Sequence, residues 1–420
     1  MTYTEALEYI HSVTWRGSIP GLSRIEELSR RMGNPEKGMK CIHIGGTNGK
    51  GSTSAYLTSV LRAAGYRVGT FTSPYVRTFN ERIAIDGKPV SNYMLASAVE
   101  TAKPHADAMA DRPTEFELIT AVGFEIFRRK KVDVVVLEVG LGGRFDSTNI
   151  IEAPLASLVT GIAFDHMQLL GNSLSEIAWE KAGIIKEGCP TVTARLADEA
   201  AEVIAKEARE KNSAVTVVDL DKIVVHSDTL DGIVMDYGEF KNIRTSLIGG
   251  YQPRNIALVC EAVRALEKRG MKIGKEALYS GIANAKWPAR FELLSREPVV
   301  VFDGGHNEEG VRAAINTAEQ VFGGKKAVLL TGVMADKAYD GMVDIIAPHI
   351  EEVFTLKPDN PRSLDAASLA AVYEAHGVKA TANDNIATSL KAARKRAKEL
   401  GLPLLILGSL YLYKDIYKHF

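Results

Sequence analysis

The residues His43, Ile44, Gly45, Gly46, Thr47, Asn48, Gly49, Lys50, Gly51 and Ser52 run consecutively and carry the densest chemistry in the chain. An apolar run ends at Ile44 and a helical pattern leaves at Lys50, so the stretch reads as strand, glycine turn, helix. Such a turn aims successive backbone N–H groups and the positive end of a helix dipole at one point. Lys50 adds a full positive charge there, and a polyphosphate fits. The ordinary Walker A spacing is broken twice. Ile44 stands where its first glycine belongs, and Gly51 separates Lys50 from Ser52. The competing reading is a tight turn with no ligand.

Three more side chains stand at the ends of expected strands, where open α/β sheets place their ligands. Ser73 follows the second strand and could offer a hydroxyl to a metal; it could equally be a turn serine. Glu138 closes a near-continuous apolar run over 132–139, and a carboxylate there is costly unless paired or metal-bound. It is the candidate magnesium ligand, against a salt-bridged strand-end acid. His166 follows a run over 157–164, and neutral imidazole is a metal donor; a satisfied structural histidine is the alternative.

The elements that must position these groups alternate in type. Residues 1–40 read as helices, with Leu22, Ile25 and Leu28 at helical spacing. Strands are expected at 41–44, 67–71, 132–139, 157–164, 191–194 and 214–218. Helices are expected from Lys50 to Gly65, from Thr114 to about Lys130, and from the capping box at Ser173 through Glu180 and Lys181 to near Gly188. Alternation with turns at 231–232 and 237–238 predicts an antiparallel ribbon over 222–246 at the edge of the first domain. Helices follow from about Asn255 and over 275–284. The periodicity breaks at 287–291, and strand–helix alternation restarts with strands at 299–302, 327–331, 353–356, 378–381 and 403–407. The fold class is α/β. A P-loop-type, mostly parallel sheet flanked by helices spans 1–287, and a smaller Rossmann-like α/β domain spans 288–420.

Composition narrows the partners. The chain has 420 residues, 46% apolar and 25% charged, with a formal net charge of −1. No basic field for nucleic acid is implied. Cys41, Cys189 and Cys260 are far apart in sequence, which suits a reducing compartment without disulfides. No apolar run reaches the roughly 20 residues of a membrane span. The expectation is a cytoplasmic protein that binds small molecules, with no nucleic-acid or membrane partner.

Taken in order, the motifs resemble the folate branch of the Mur ligase superfamily, the folylpolyglutamate synthases, including the bacterial bifunctional form that is also dihydrofolate synthase. They are the loop at 45–52, Thr-Ser-Pro-Tyr at 72–75, Phe-Asn-Glu-Arg at 79–82, Glu-Val-Gly-Leu-Gly-Gly-Arg at 138–144, Asp-Ser-Thr-Asn at 146–149, Asp-His at 165–166, Glu-Lys-Ala-Gly-Ile-Ile-Lys at 180–186 and Asp-Gly-Gly-His-Asn at 303–307. The resemblance covers nearly the whole chain. It implies an ATP-dependent ligase that joins a carboxylate to the amine of L-glutamate through an acyl phosphate, acting on dihydropteroate, on reduced folates, or on both. It implies ATP as co-substrate, two magnesium ions and a monomer.

By the same resemblance, Gly46, Thr47, Asn48, Gly49, Lys50, Gly51 and Ser52 cradle ATP, with Lys50 on the outer phosphates. Asn255, Arg290 and Asp303 add ATP contacts. Ser73 and Glu138 hold one magnesium and His166 a second. Lys181 matches a lysine that the family carries as a carbamate, an anionic oxygen ligand; by residue type alone it reads as an exposed helix lysine paired with a neighbouring acid. His306 stands near the transferred phosphate or the incoming glutamate, so Lys50, Lys181 and His306 form the catalytic set. The pterin end lies against Thr114, Glu115, Phe116, Glu117, Phe145, Asp146 and Ser147. The sequence departs from the family pattern at Glu115, where an aromatic is frequent, and at Phe145, where leucine is usual. Gly305 stands for a more usual alanine and Ala289 for a more usual glycine.

Two other readings compete. A cell-wall Mur ligase, adding an amino acid to a nucleotide-linked muramyl acid, would share the ATP loop and the modified lysine. The Gly51-Ser52 pair and the Thr-Ser-Pro-Tyr segment favour the folate branch. A nucleotide-binding regulatory protein without ligase chemistry would want a base-specific Asn-Lys-x-Asp string if it bound guanine, and the chain has none.

Overall fold

The computed structural model describes residues 1–14, 17 and 19–420. Its contacts divide the chain into two compact units, Met1–Ile223 with Arg254–Ala285, and Val224–Pro253 with Lys286–Phe420.

The first unit is built on a sheet of eight strands: β1 (Cys41–Gly45), β2 (Val68–Phe71), β3 (Ile83–Ile85), β4 (Lys88–Pro89), β5 (Val134–Glu138), β6 (Ala156–Val159), β7 (Thr191–Thr193) and β8 (Val215–Val217). Their spatial order is β4-β3-β2-β5-β1-β6-β7-β8. All neighbours are parallel except β2–β3 and β3–β4. Strands β1, β2, β5 and β6 are buried along their whole length. That burial on both faces is why they read as unbroken apolar runs. The antiparallel pair β3–β4 had no such signature, being short and partly exposed.

Helices α1 (Tyr3–His11) and α2 (Ser23–Arg31) account for the expected helical N-terminus. Trp15, Arg16 and Ser18 fall between them, outside the described residues. Helix α3 (Lys50–Ala63) leaves the β1 turn, with α4 (Asn92–Asp107) and α5 (Glu115–Lys130) further on. Ile10, Ile25, Leu28, Phe71, Leu95, Val99, Phe124 and Phe127 belong to one buried cluster under these helices. Each such side chain contributes roughly 1.5–3 kcal/mol relative to exposure. Helix α3 is pinned from outside by Lys275–Asn284, where a Cβ at Gly281 would overlap the Val60 backbone.

Three expectations need correction. The strand expected to reach Phe164 stops at Val159. Beyond it the chain bends over the glycine turn: Thr160 Oγ1 donates to the Asn48 carbonyl (2.6 Å) and the Gly161 carbonyl accepts from Thr47 N–H (2.8 Å). The helix that begins at the Ser173 capping box, Leu174–Ala182, ends before Gly183 rather than near Gly188. Its end is set by close packing, because Arg144 N–H takes the Glu180 carbonyl (2.7 Å) and a Cβ at Gly183 would overlap Arg144. The ribbon, strands β9 (Ile223–Thr229), β10 (Gly232–Tyr237) and β11 (Phe240–Thr245), is a separate three-stranded sheet. It clusters with the second unit, not at the edge of the first.

The second unit's main sheet has the order β12-β13-β17-β14-β15-β16, with β12 (Glu292–Arg296), β13 (Val299–Phe302), β14 (Ala327–Thr331), β15 (Ile350–Thr355), β16 (Lys379–Ala382) and β17 (Leu404–Leu407). Only β12 runs antiparallel to its neighbour. The unit has its own core around Phe291, Val301, Leu329, Tyr373 and Leu405. Among the described residues no helix is long and apolar enough to cross a membrane.

Candidate active site

The phosphate-loop candidate is built as its glycines require. Gly46 has φ 142° and Gly49 φ 86°, conformations that side chains other than glycine's rarely adopt. Both are also crowded. A Cβ at Gly46 would overlap the Thr160 hydroxyl, and one at Gly49 would lie 2.8 Å from Asn255 Oδ1. Asn255, far along the chain, is therefore brought against the loop. Gly49 caps α3, so Lys50, Gly51 and Ser52 form its first turn. Lys50 Nζ folds back to the Gly46 and Thr47 carbonyls (2.8 and 2.9 Å), and Ser52 is buried. Thr47 is held to Ala163 by reciprocal 3.1 Å hydrogen bonds.

Sheet register brings Glu138 to the same spot. Ile44 pairs with Glu138, and Val139 N–H donates to the Ile44 carbonyl (2.9 Å). The carboxylate, 3% exposed, thus stands one strand away from the root of the loop. Lys181 is also 3% exposed, which rules out the surface-lysine reading. Burial, then the charge of Lys50, pushes its ammonium down to about 7, against the pull of Asp165, Glu180 and Asp146. A lysine held there is largely a neutral amine at slightly alkaline pH. His166 lies in the left-handed region (φ 51°), and Asp165 Oδ1 accepts from its backbone N–H (2.9 Å).

A cavity of about 430 Å³ opens in the same unit. Its wall gathers every residue expected at the pterin end: Thr114, Glu115, Phe116, Glu117, Phe145, Asp146 and Ser147. Ser73 and His166 also line it. The α5 N-terminus supplies one side, through the Thr114–Glu117 capping box. Asp146 is held by Leu141 N–H (2.8 Å) and Thr148 N–H (3.0 Å). Burial raises its carboxyl, and the Thr148 and Leu141 bonds oppose that rise. Glu115 is tied to the Thr14 hydroxyl and to His11 Nδ1 (3.3 Å). Phe145 is 43% exposed and faces Trp179 at a ring distance of 6.1 Å.

Several lining residues had no warning in the sequence. Thr14, Ile19 and Pro20 come from the N-terminal segment, whereas Arg82, also on the wall, belongs to the Phe-Asn-Glu-Arg motif already singled out at 79–82. Arg24 donates to the Ile19 carbonyl (2.7 Å) and to both oxygens of Glu117 (3.0 and 3.1 Å). One buried guanidinium thereby joins two sides of the cavity. An arginine on an amphipathic helix reads as solvent-facing, so only tertiary contact reveals it.

Arg290, Asp303 and His306 form a group of their own in the second unit. Asp303 accepts from Phe291 N–H (2.8 Å), Gly305 N–H (2.7 Å) and the Tyr251 hydroxyl (3.3 Å). Burial raises its carboxyl, opposed first by the charge of Arg290. His306 Nδ1 donates to the Gly304 carbonyl (3.0 Å).

Comparison with known proteins identifies the family. The Mur ligase middle domain model matches residues 44–263, and the Mur ligase glutamate ligase domain model matches 289–410. A dihydrofolate synthase/folylpolyglutamate synthase of Bacillus subtilis is 40% identical, over 99% of this chain and 98% of the relative. The chain belongs to the folylpolyglutamate synthase branch of the Mur ligase family. A crystal structure of folylpolyglutamate synthase from Thermotoga maritima superposes with a TM-score of 0.87 at 32% identity, covering 99% of this chain and 96% of that one. A folylpolyglutamate synthase complex with AMPPCP and folate superposes with a TM-score of 0.85 at 33% identity, covering 100% and 99%. The eight-stranded sheet and the smaller mostly parallel sheet are thus the two-domain Mur ligase fold.

Proposed function

We propose that this protein is an ATP-dependent ligase that adds L-glutamate to dihydropteroate, to folates bearing glutamate, or to both, releasing ADP and phosphate. The observation that carries the reading is the cavity wall, where the expected pterin contacts and two expected metal donors line one space in the unit that bears the phosphate loop. A folylpolyglutamate synthase relative has been solved with AMPPCP and folate together, which supports both substrate classes.

The chemistry explains the parts. A carboxylate is a poor electrophile, so an acceptor carboxylate oxygen attacks the γ-phosphorus of ATP and ADP leaves. The resulting acyl phosphate carries a good leaving group. The glutamate amine then attacks the acyl carbon, loses a proton, and phosphate departs as the amide forms. The protein's task is alignment and neutralisation of crowded negative charge. Residues 46–52 hold the phosphates, and Lys50 supplies a cation beside them. Asn255 steadies the loop from outside. By the family resemblance Arg290 and Asp303 are nucleotide contacts, and His306 serves the transferred phosphate or the incoming amine.

The donor set suits magnesium. Among the described residues no group of three His, Cys, Asp or Glu side chains forms a metal cluster. A cation that takes one or two protein oxygens and completes its shell with phosphate and water fits such a sparse set. Ser73 and Glu138 would hold one ion, and His166 with carbamylated Lys181 a second. Bound there, magnesium would offset phosphate charge. A near-neutral buried amine at Lys181 is the form that reacts with carbon dioxide, which supports the carbamate. The protein is read as a monomer.

The test is ATP-dependent incorporation of labelled glutamate, run in parallel with dihydropteroate, tetrahydrofolate and a muramyl nucleotide. Incorporation with either pteroyl acid supports the proposal. Incorporation only with the muramyl acid, or ATP turnover indifferent to every acid, refutes it.

A further inference from the structure

We propose that His43 and Thr148 are positioning residues for the acceptor cavity, through a hydrogen-bonded line that runs from the phosphate-loop strand to Asp146 on the cavity wall. This rests on reading the cavity as the acceptor site. His43 lies in β1, shortly before the glycine turn, and is fully buried. Its Nε2 is 2.8 Å from Thr148 Oγ1, and Thr148 Oγ1 in turn donates to Asp146 Oδ1.

Donor accounting fixes the direction. The Asp146 carboxylate receives Thr148 N–H and the Thr148 hydroxyl at Oδ1, Leu141 N–H at Oδ2, and a further backbone hydrogen bond from Gly140. With Asp146 ionised, the Thr148 proton is spent on its carboxylate, and the Thr148 oxygen accepts from His43. The imidazole is thus the Nε2–H tautomer. Burial, then the charge of Lys186, pushes its pKa down to about 3, so the donor is present and uncharged throughout the physiological range.

The other ring nitrogen, Nδ1, is buried with no hydrogen-bond partner among the described residues. Leaving it so is a cost that an apolar side chain at this position would not carry. The return is a donor that holds Thr148 in the one rotamer serving Asp146. The turn itself has independent anchors. Asn149 Nδ2 donates to the Arg144 and Gly183 carbonyls (3.0 Å each), and Lys186 Nζ donates to the Asn149 carbonyl (3.0 Å). Loss of the Thr148 hydroxyl should therefore disorient Asp146 without unravelling the turn.

Steady-state kinetics with ATP and whichever pteroyl acid the wild type uses, dihydropteroate or tetrahydrofolate, test the line in wild type, Thr148→Val, Thr148→Ser and His43→Leu, each checked by a thermal melt. Thr148→Val and His43→Leu are expected to raise KM for the acid about tenfold, with KM for ATP within about twofold. The double variant should be no worse than either single one, and Thr148→Ser should restore the acid KM to within about threefold. If His43→Leu does not fold, the Thr148→Val and Thr148→Ser pair decides the matter. An unchanged acid KM in Thr148→Val, equal damage in Thr148→Ser, or a parallel rise in both KM values overturns the proposal. Wild-type turnover that ignores both dihydropteroate and tetrahydrofolate overturns the acceptor reading and this inference together; acid-dependent wild-type turnover matched by Thr148→Val overturns this inference alone.

Discussion

Replacing Lys181 by Met should abolish ligation while making the fold more stable. Methionine nearly matches the length of the lysine stem and carries no charge. In the fold the ammonium is pushed from 10.5 down to about 7. At about 1.4 kcal/mol per pH unit, the cost of keeping it protonated inside is about 5 kcal/mol. The sign follows from proton binding. The unfolded chain keeps this proton up to its ordinary value, whereas the folded one releases it near 7. The penalty is therefore fully present below pH 7 and fades as pH rises towards 10.5. Lys181→Met removes it, so urea midpoints should rise by the equivalent of up to about 5 kcal/mol at pH 6 and about 3 kcal/mol at pH 8.5. Bicarbonate adds a second lever. If the neutral amine takes up carbon dioxide, the wild type gains stability at pH 8.5 in bicarbonate, and the advantage of methionine narrows there but not at pH 6. Ligation in the variant should fall by about 100-fold or more. A variant that is less stable at both pH values, or whose advantage does not shrink with pH, refutes the account of Lys181 as a cation buried at a cost. Retained ligation refutes its catalytic role.

Gly46→Ala combines a φ of 142° with overlap of the Thr160 hydroxyl, so the loop must move. A loss of about 2–4 kcal/mol of nucleotide binding is expected by calorimetry with an ATP analogue, and unchanged affinity would show that the loop tolerates a side chain. Ala289 holds φ 59° while fully buried. Glycine there should stabilise the second unit by about 0.5–1 kcal/mol, read as a higher urea midpoint, because relief of the left-handed strain outweighs the added chain entropy. Both effects are independent of the Lys181 titration and should persist from pH 6 to 8.5.

The phosphate loop was legible because its chemistry is local. Glycines, a lysine and a helix start must be consecutive to make the site, so a string of residues carries the whole signal. The parallel strands were equally plain, since burial on both faces leaves an unbroken apolar run such as 134–137. Strand ends and the ribbon were not. Residues 160–164 are as apolar as a strand, yet hydrogen bonds from Thr160 and Gly161 to the loop fold them over it. The alternation of the ribbon announces its strands, but not the unit against which they pack.

What the sequence determined by itself was the identity of the reacting parts and the sheet that carries them, because both follow from residue type and short-range period. Only the tertiary structure decided which charges are buried. Lys181 looks like any helix lysine, Arg24 like any surface arginine, and His43 like an incidental residue ahead of a motif. Each owes its state to surroundings remote in sequence: burial first and then the charge of Lys50 for Lys181, Glu117 for Arg24 and Thr148 for His43. Desolvation and pairing act through space, and no local pattern records which segments the fold will bring together.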